Sequence, residues 1–373
     1  MLVYTQKICG GKVVFYYYLL LCFLFLSLVT ENSLFQSKFY ANLLLIYMTV
    51  LTVAISVVNP ITADMRRYLA NLNVMHDIGL FDAITQSRWE PSFVTFQWLL
   101  SKISTSNFLF ISISTLLILL IIISALKKIV PYDKIPLIMF GYLSLFSFYN
   151  LISNVLRQGF SVAFLLVMLI FLKKDKYTFA IISLVIAVSF HTTAIVGIIL
   201  VCLYKINFSF KAHVYVFFVA ALTMLLNINQ RIISLLPFSL VDDAGEYLQQ
   251  YTSESSLLRY GAVNRLDFLV FSVFWFFVAL FFYKRYLNGD LFYELIIRAY
   301  AIYGSIFFLF GFISFSDRLA VYSWFLIPLL LFYPIIKMRT RNKLIWLLLG
   351  LIACILMMYV FDISDYYAYL MPY

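Results

Sequence analysis

The sequence predicts an all-α, polytopic integral membrane protein with about twelve transmembrane helices, on three observations. The 373 residues are 64% hydrophobic and only 12% charged, with a mean hydropathy of +0.97, beyond what a soluble domain of this length shows. Apolar runs near the ~20 residues needed to cross a bilayer recur along almost the whole chain. The loops between them are short and carry the charge, which leaves no room for a separate soluble domain and makes 1–373 one transmembrane domain.

The first run, 13–30, follows Lys7 and Lys12 as a signal peptide would, but no small-residue cleavage site comes after it, so it is read as a retained helix. Further spans are expected over 41–59, 107–126, 135–152, 158–172, 177–190, 192–204, 213–226, 267–283, 292–315, 319–336 and 344–361. The segments 177–190 and 192–204 are too short for a ~30 Å hydrocarbon core. They form either a kinked helix or a hairpin with His191 at its tip.

Lysine and arginine placement sets the orientation. Lys127, Lys128 and Lys134; Lys173, Lys174 and Lys176; Lys205 and Lys211; Lys284 and Arg285; and Lys337, Arg339, Arg341 and Lys343 mark five basic loops, which are expected to be cytoplasmic. With 173–176 and 205–211 on one side, the segment between them goes out and returns, which favours the hairpin and an exterior His191. The N-terminus then also falls outside, against the hint of Lys7 and Lys12.

On this topology the inside carries 16 basic and 5 acidic residues and the outside 11 and 12, so the net +10 sits inside. Such charge is a topology signal and not a nucleic-acid patch. Inside, 12 of the 16 cations are lysine; outside, 8 of the 11 are arginine. Arginine's planar fork matches phosphate oxygens two at a time, which suits an anionic substrate.

Two exterior loops are long enough to hold a site, 60–106 and 227–266. The first has apolar residues at helical spacing around Tyr68, Leu69, Leu72 and Met75 and is expected to include an interfacial helix. It also carries Asp64, Arg66, Arg67, His76, Asp77, Asp82, Arg88, Trp89 and Glu90. In the second, acidic residues alternate with Tyr247 and Tyr251, a pattern suited to sugar hydroxyls and apolar sugar faces and equally to any solvated loop.

Individual candidates follow from cost. Arg157, beside Gln158 and Gly159 at the edge of an apolar span, is either an interfacial arginine snorkelling to water or a clamp on a lipid-linked phosphate. Gly159 allows close backbone approach and Gln158 adds neutral hydrogen-bonding groups, both favouring the clamp. His191, in Phe190-His191-Thr192-Thr193, is either a structural histidine or a base for a hydroxyl nucleophile. Asp317 and Arg318 form either a solvated turn or a second phosphate ligand with an orienting acid.

No P-loop, H-E-x-x-H, G-x-S-x-G or Gly-rich dinucleotide fingerprint occurs, so nucleotide hydrolysis, zinc proteolysis and serine-hydrolase chemistry have no support. The four cysteines, Cys9, Cys22, Cys202 and Cys354, have neither pairing nor metal-ligand spacing.

Leu156-Arg157-Gln158-Gly159, the end of that span at Lys173-Lys174-Asp175-Lys176, and Ala187-Val188-Ser189-Phe190-His191-Thr192-Thr193-Ala194 resemble, in order and spacing, the middle of the EpsG-like, Wzy-type polysaccharide polymerases. Asp64 and Tyr68, and Asp317-Arg318-Leu319 with Tyr322, extend the resemblance. One departure is Asn59-Pro60-Ile61-Thr62-Ala63 before Asp64, where such proteins often carry an arginine and a glycine.

The resemblance implies a bacterial inner (plasma) membrane enzyme that joins oligosaccharide repeat units carried on undecaprenyl pyrophosphate, for O-antigen, capsule or exopolysaccharide, on the periplasmic or extracellular face. Its implied partners are that lipid-linked oligosaccharide, the bilayer, a chain-length regulator and a flippase. For this chemistry we assign Arg157, Gln158, Arg318, Arg66 and Arg67 to the pyrophosphate, His191 and then Asp317 to proton transfer, and Asp64, Tyr68, Tyr247 and Tyr251 to the glycan. The leaving group arrives activated and arginines can hold it, so neither metal nor cofactor is required. The rival readings are a flippase or transporter of lipid-linked oligosaccharide, which usually shows internal repeats, and an O-antigen ligase-type transferase.

Overall fold

The computed structural model describes residues 37–58, 61, 63–235, 252–253, 263–339 and 342–360. The expected helix over 13–30, and Tyr247 and Tyr251, lie outside the described residues. All regular structure among the described residues is helical. The first long loop holds three helices after α1 (Lys38–Val58): α2 (Ala63–Asp77), α3 (Leu80–Gln86) and α4 (Pro91–Ile103). Then come α5 (Asn107–Leu126), α6 (Ile135–Leu143), α7 (Phe146–Ser153), α8 (Leu156–Lys173) and α9 (Tyr177–Phe190). The rest are α10 (Gly197–Lys205), α11 (Phe210–Leu225), α12 (Asn229–Ser234), α13 (Leu266–Tyr286), α14 (Leu291–Leu309), α15 (Asp317–Trp324), α16 (Ile327–Lys337) and α17 (Lys343–Val360).

Among the described residues, α1, α5, α8, α13, α14 and the stretch Asp317–Lys337 are long and apolar enough to span a membrane. Tyr177–Phe190, Thr192–Lys205, Phe210–Leu225 and Lys343–Met358 are apolar but shorter. The single span expected over 135–152 is instead a pair, Tyr132–Leu143 and Phe146–Ser153, bent by 88°. At the bend, Ser144 Oγ donates to the Phe140 carbonyl at 2.8 Å, the back-bonding that loosens a helix at a serine. Helical segments thus meet every expected span within the described residues, but six or seven, not twelve, have full span length. The chain is a multi-pass membrane protein.

The chain forms two compact units, one of residues up to Ile195 and from Ile335 onward, the other Val196–Pro334. In the first, α8 pairs with α9, α5 with α8, and α1 with α5. Phe96 of α4 lies 5.0 Å from Phe160 at the start of α8 and 6.2 Å from Phe110 at the start of α5. Phe160 stacks at 4.7 Å on Phe190 at the end of α9. These three ends therefore gather beneath α4, and the Lys173–Lys176 turn lies at the opposite end of the α8–α9 pair. A Cβ on Gly159 would stand 2.4 Å from the Leu151 carbonyl oxygen. The close approach this glycine permits is by α7.

In the second unit, α14 packs against α11, α13 and α15. Phe217 of α11 meets Phe276 at 4.0 Å, and Ser272 receives hydrogen bonds from Trp324 Nε1 at 2.8 Å and, on its carbonyl, from the Tyr300 hydroxyl at 2.9 Å. At one end Arg298 pairs with Glu294 and donates to the Phe208 carbonyl, and Phe210 lies 4.8 Å from Tyr283. The basic loops 205–211 and 284–285 therefore share an end, as their charge predicts. Asn229 Nδ2 donates to Asn264 Oδ1 at 2.8 Å and to the Phe308 carbonyl at 2.9 Å, and Asn264 Nδ2 donates to Asn227 Oδ1 at 2.9 Å, tying the two stems of the second long loop together.

Candidate active site

The first long loop is a three-helix cap, and it reaches the site through Glu90, Tyr68, Trp89 and Ser92. Met65, Tyr68, Leu69, Leu72 and Met75, the helically spaced stripe of α2, are buried. Gln97 Nε2 donates at 2.6 Å to the Tyr68 carbonyl, fastening α2 to α4. Proline at the first position of α4 holds the preceding Glu90 in an extended conformation. Glu90 makes no capping bond to its own helix, so its side chain is turned elsewhere.

Glu90 Oε2 accepts from Arg157 Nη1 at 2.6 Å. Its Oε1 accepts from the Thr192 amide at 2.8 Å and the Thr192 hydroxyl at 3.1 Å, and lies 3.1 Å from His191 Nδ1. Against an ionised carboxylate, which only accepts, Nδ1 is the donor, and in a neutral ring that leaves Nε2 as the basic nitrogen. Burial alone would raise the Glu90 carboxyl. The His191 hydrogen bond and the charge of Arg157 outweigh it and, with the Thr192 amide, hold it far below its ordinary value.

Arg157, at the second position of α8, is held by three groups. Its Nε donates to the Tyr68 hydroxyl at 3.2 Å, its Nη1 to Glu90, and its guanidinium carbon lies 5.9 Å from both the Tyr68 and the Trp89 ring centroids. Nη2 takes no part in these bonds and remains to meet a further oxygen. The side chains of Glu90, Arg157 and His191 are 12%, 17% and 13% exposed, so the cluster is mostly dehydrated yet reachable.

His191 closes α9 in an extended conformation, and a 3-10 turn, Thr192–Val196, follows. The fourteen residues of α9 rise ~21 Å, short of a ~30 Å core, and end at His191 against Glu90 of the cap. Ser92 Oγ and Ser189 Oγ, 2.7 Å apart, join α4 to α9 beside it. Phe96, Phe160 and Phe190 form an aromatic floor under the cluster.

The structure brings together Arg157, His191 and Tyr68 of the sequence candidates and adds Glu90, to which no role was given. Tyr68, expected at the glycan, is buried, and its hydroxyl accepts from Arg157 Nε. Gln158 points into the helix packing and is 1% exposed. Arg67 pairs with Asp64, and Arg66 is exposed on α2. In the second unit, Asp317 begins α15, and the Arg318 guanidinium lies 5.1 Å from the Phe315 ring.

A comparison with curated proteins and one with solved structures returned no match. The model of the EpsG family matches residues 40–373, which takes in the cap, the Glu90–Arg157–His191 cluster and Asp317-Arg318 alike. The chain belongs to the EpsG family, a membership that suggests a polysaccharide polymerase.

Proposed function

We propose that the protein joins oligosaccharide repeat units carried on undecaprenyl pyrophosphate, at the outer face of a bacterial inner or plasma membrane, with the Glu90 cluster as the reacting centre. The observation that carries this is one buried carboxylate holding an arginine and a histidine together beneath the cap. In the reaction an acceptor sugar hydroxyl attacks the anomeric carbon of the donor glycan. The new C–O bond forms as the bond to pyrophosphate breaks, the electron pair leaves with the pyrophosphate, and the hydroxyl proton must be removed.

Arg157 meets the first demand. Its Nη2 faces negative charge growing on the leaving pyrophosphate, in a dehydrated site where one such donor is worth ~10²–10³ in rate. His191 meets the second, since Nε2 accepts the proton and Glu90 stabilises the resulting imidazolium through Nδ1, a contribution of ~10²–10⁴. A single displacement inverts the anomeric centre. Arg318 and Asp317 are proposed as further pyrophosphate and proton groups, and Arg66 and Arg67 as outlying cations on the lipid phosphate's approach.

The test is to replace Arg157 or His191 with glutamine in cells that make long polysaccharide and to run the glycan on a gel. Single repeat units are expected, because export continues while joining stops. Unchanged chain length with the variant still in the membrane overturns the assignment, and loss of all exported units supports a flippase instead.

A further inference from the structure

The cap contains a cavity of about 560 Å³ between α2, α3 and the turn before α4, within the ~300–1,000 Å³ range of small-ligand sites. Its polar wall is Arg67, Asn71, Gln86, Ser87, Arg88 and Trp89, over an aliphatic floor that includes Val74 and Ile78. The fixed charges on this wall are all cationic; Arg67 is tied to Asp64, and among the described residues Arg88 makes no ion pair. An exposed arginine without an acidic partner at the rim of a cavity is a donor fork for an anion brought from outside.

The rest of the wall suits a sugar. Asn71 Nδ2 reaches Gln97 Oε1 at 3.3 Å, which fixes the amide and leaves its Oδ1 to accept from a hydroxyl. The indole of Trp89 and the aliphatic floor offer flat apolar surface for the C–H face of a pyranose. Trp89 is also the ring 5.9 Å from the Arg157 guanidinium carbon, so the cavity adjoins the Glu90 cluster through one side chain.

We propose that this cavity is a glycan subsite for an acidic oligosaccharide, in which a uronate-type carboxylate pairs with Arg88 and a neighbouring pyranose lies against Trp89. Its role in placing the growing glycan beside the reacting centre rests on the transferase reading; the binding itself does not. The substrate class would accordingly be repeat units that contain an acidic sugar.

The experiment measures binding to the purified full-length protein in nanodiscs, with tetragalacturonate and neutral maltotetraose as probes at two salt concentrations. Tetragalacturonate is expected to bind about tenfold more tightly, with the preference shrinking at high salt. Arg88→Gln is expected to erase the preference and leave maltotetraose binding unchanged; the residue is exposed, so folding is preserved. Equal binding of the two probes, an unaltered preference in Arg88→Gln, or displacement of tetragalacturonate by equimolar inorganic phosphate overturns the proposal. If the preference holds while Arg157→Gln leaves polymer length unchanged, the transferase reading fails and the subsite stands. The reverse pattern removes the subsite alone.

Discussion

Glu90 Oε2 lies 2.6 Å from Arg157 Nη1, although 67 residues separate them in the chain. The same carboxylate holds His191, so a change at Glu90 disturbs a cation and a base at once. Glu90→Gln keeps the shape but loses the charge and the pure-acceptor character. We expect polymer formation to fall ~10²-fold with membrane abundance preserved, and Glu90→Asp to recover part of it, read on glycan gels with immunoblots of the membrane fraction.

Arg157→Lys retains the positive charge and loses the fork that serves Tyr68 and Glu90 together. Transfer is expected to drop at least ~10-fold, nearly as far as in Arg157→Gln. A lysine variant with normal chain length would show that charge alone suffices.

Tyr68→Phe removes only the hydroxyl that accepts from Arg157 Nε and leaves the ring packing on Trp89 and Phe93, at 5.1 and 4.8 Å, in place. The loss expected is that of one hydrogen bond, about 0.5–1.5 kcal/mol or ~2- to 10-fold in rate. Thermal stability should barely change, which initial rates and a melting curve together check.

The Glu90 carboxyl titrates below its ordinary 4.5 in the folded state, so its ionisation stabilises the fold above that value and the contribution is lost as pH falls through the folded pKa. In a His191→Gln background, which removes the imidazole that pairs with Glu90 and titrates in the same window, the difference in melting temperature caused by Glu90→Gln should be constant between pH 5 and 8. Below pH 4.5 it should narrow. A difference that changes across pH 5–8 would mean the carboxyl is protonated in that range.

Gly159→Ala would set a Cβ 2.4 Å from a backbone oxygen, which cannot swing aside as a side chain can. We expect destabilisation of about 1–3 kcal/mol and reduced membrane abundance, measured by melting in detergent and by immunoblot. Binding of the cap oligosaccharide by the surviving protein should be normal, because Gly159 lies away from the cavity wall.

How far this was legible depends on the kind of signal. Arg157 and His191 stood out because polar groups in apolar segments are costly, and the α2 stripe followed from its spacing. Glu90 did not stand out: an acid before a proline marks a helix start, but nothing local tells that its side chain leaves that start for partners 67 and 101 residues away. The bend between α6 and α7 was hidden for a related reason, since no proline or glycine occurs at Ser144-Leu145 and the run reads as one apolar span. Gly159 was visible as a site of close approach, yet whether a ligand or a neighbouring helix comes close is a matter of tertiary packing.

The most direct test of a single Glu90-centred unit is a double-mutant cycle of Glu90→Gln and His191→Gln on purified full-length protein. It follows release of undecaprenyl pyrophosphate from a lipid-linked repeat unit. Because Glu90 acts on the proton through His191 while also holding Arg157, the double variant should be faster than the product of the two single losses predicts. Rate losses that multiply would show that the two residues act independently and would contradict the account.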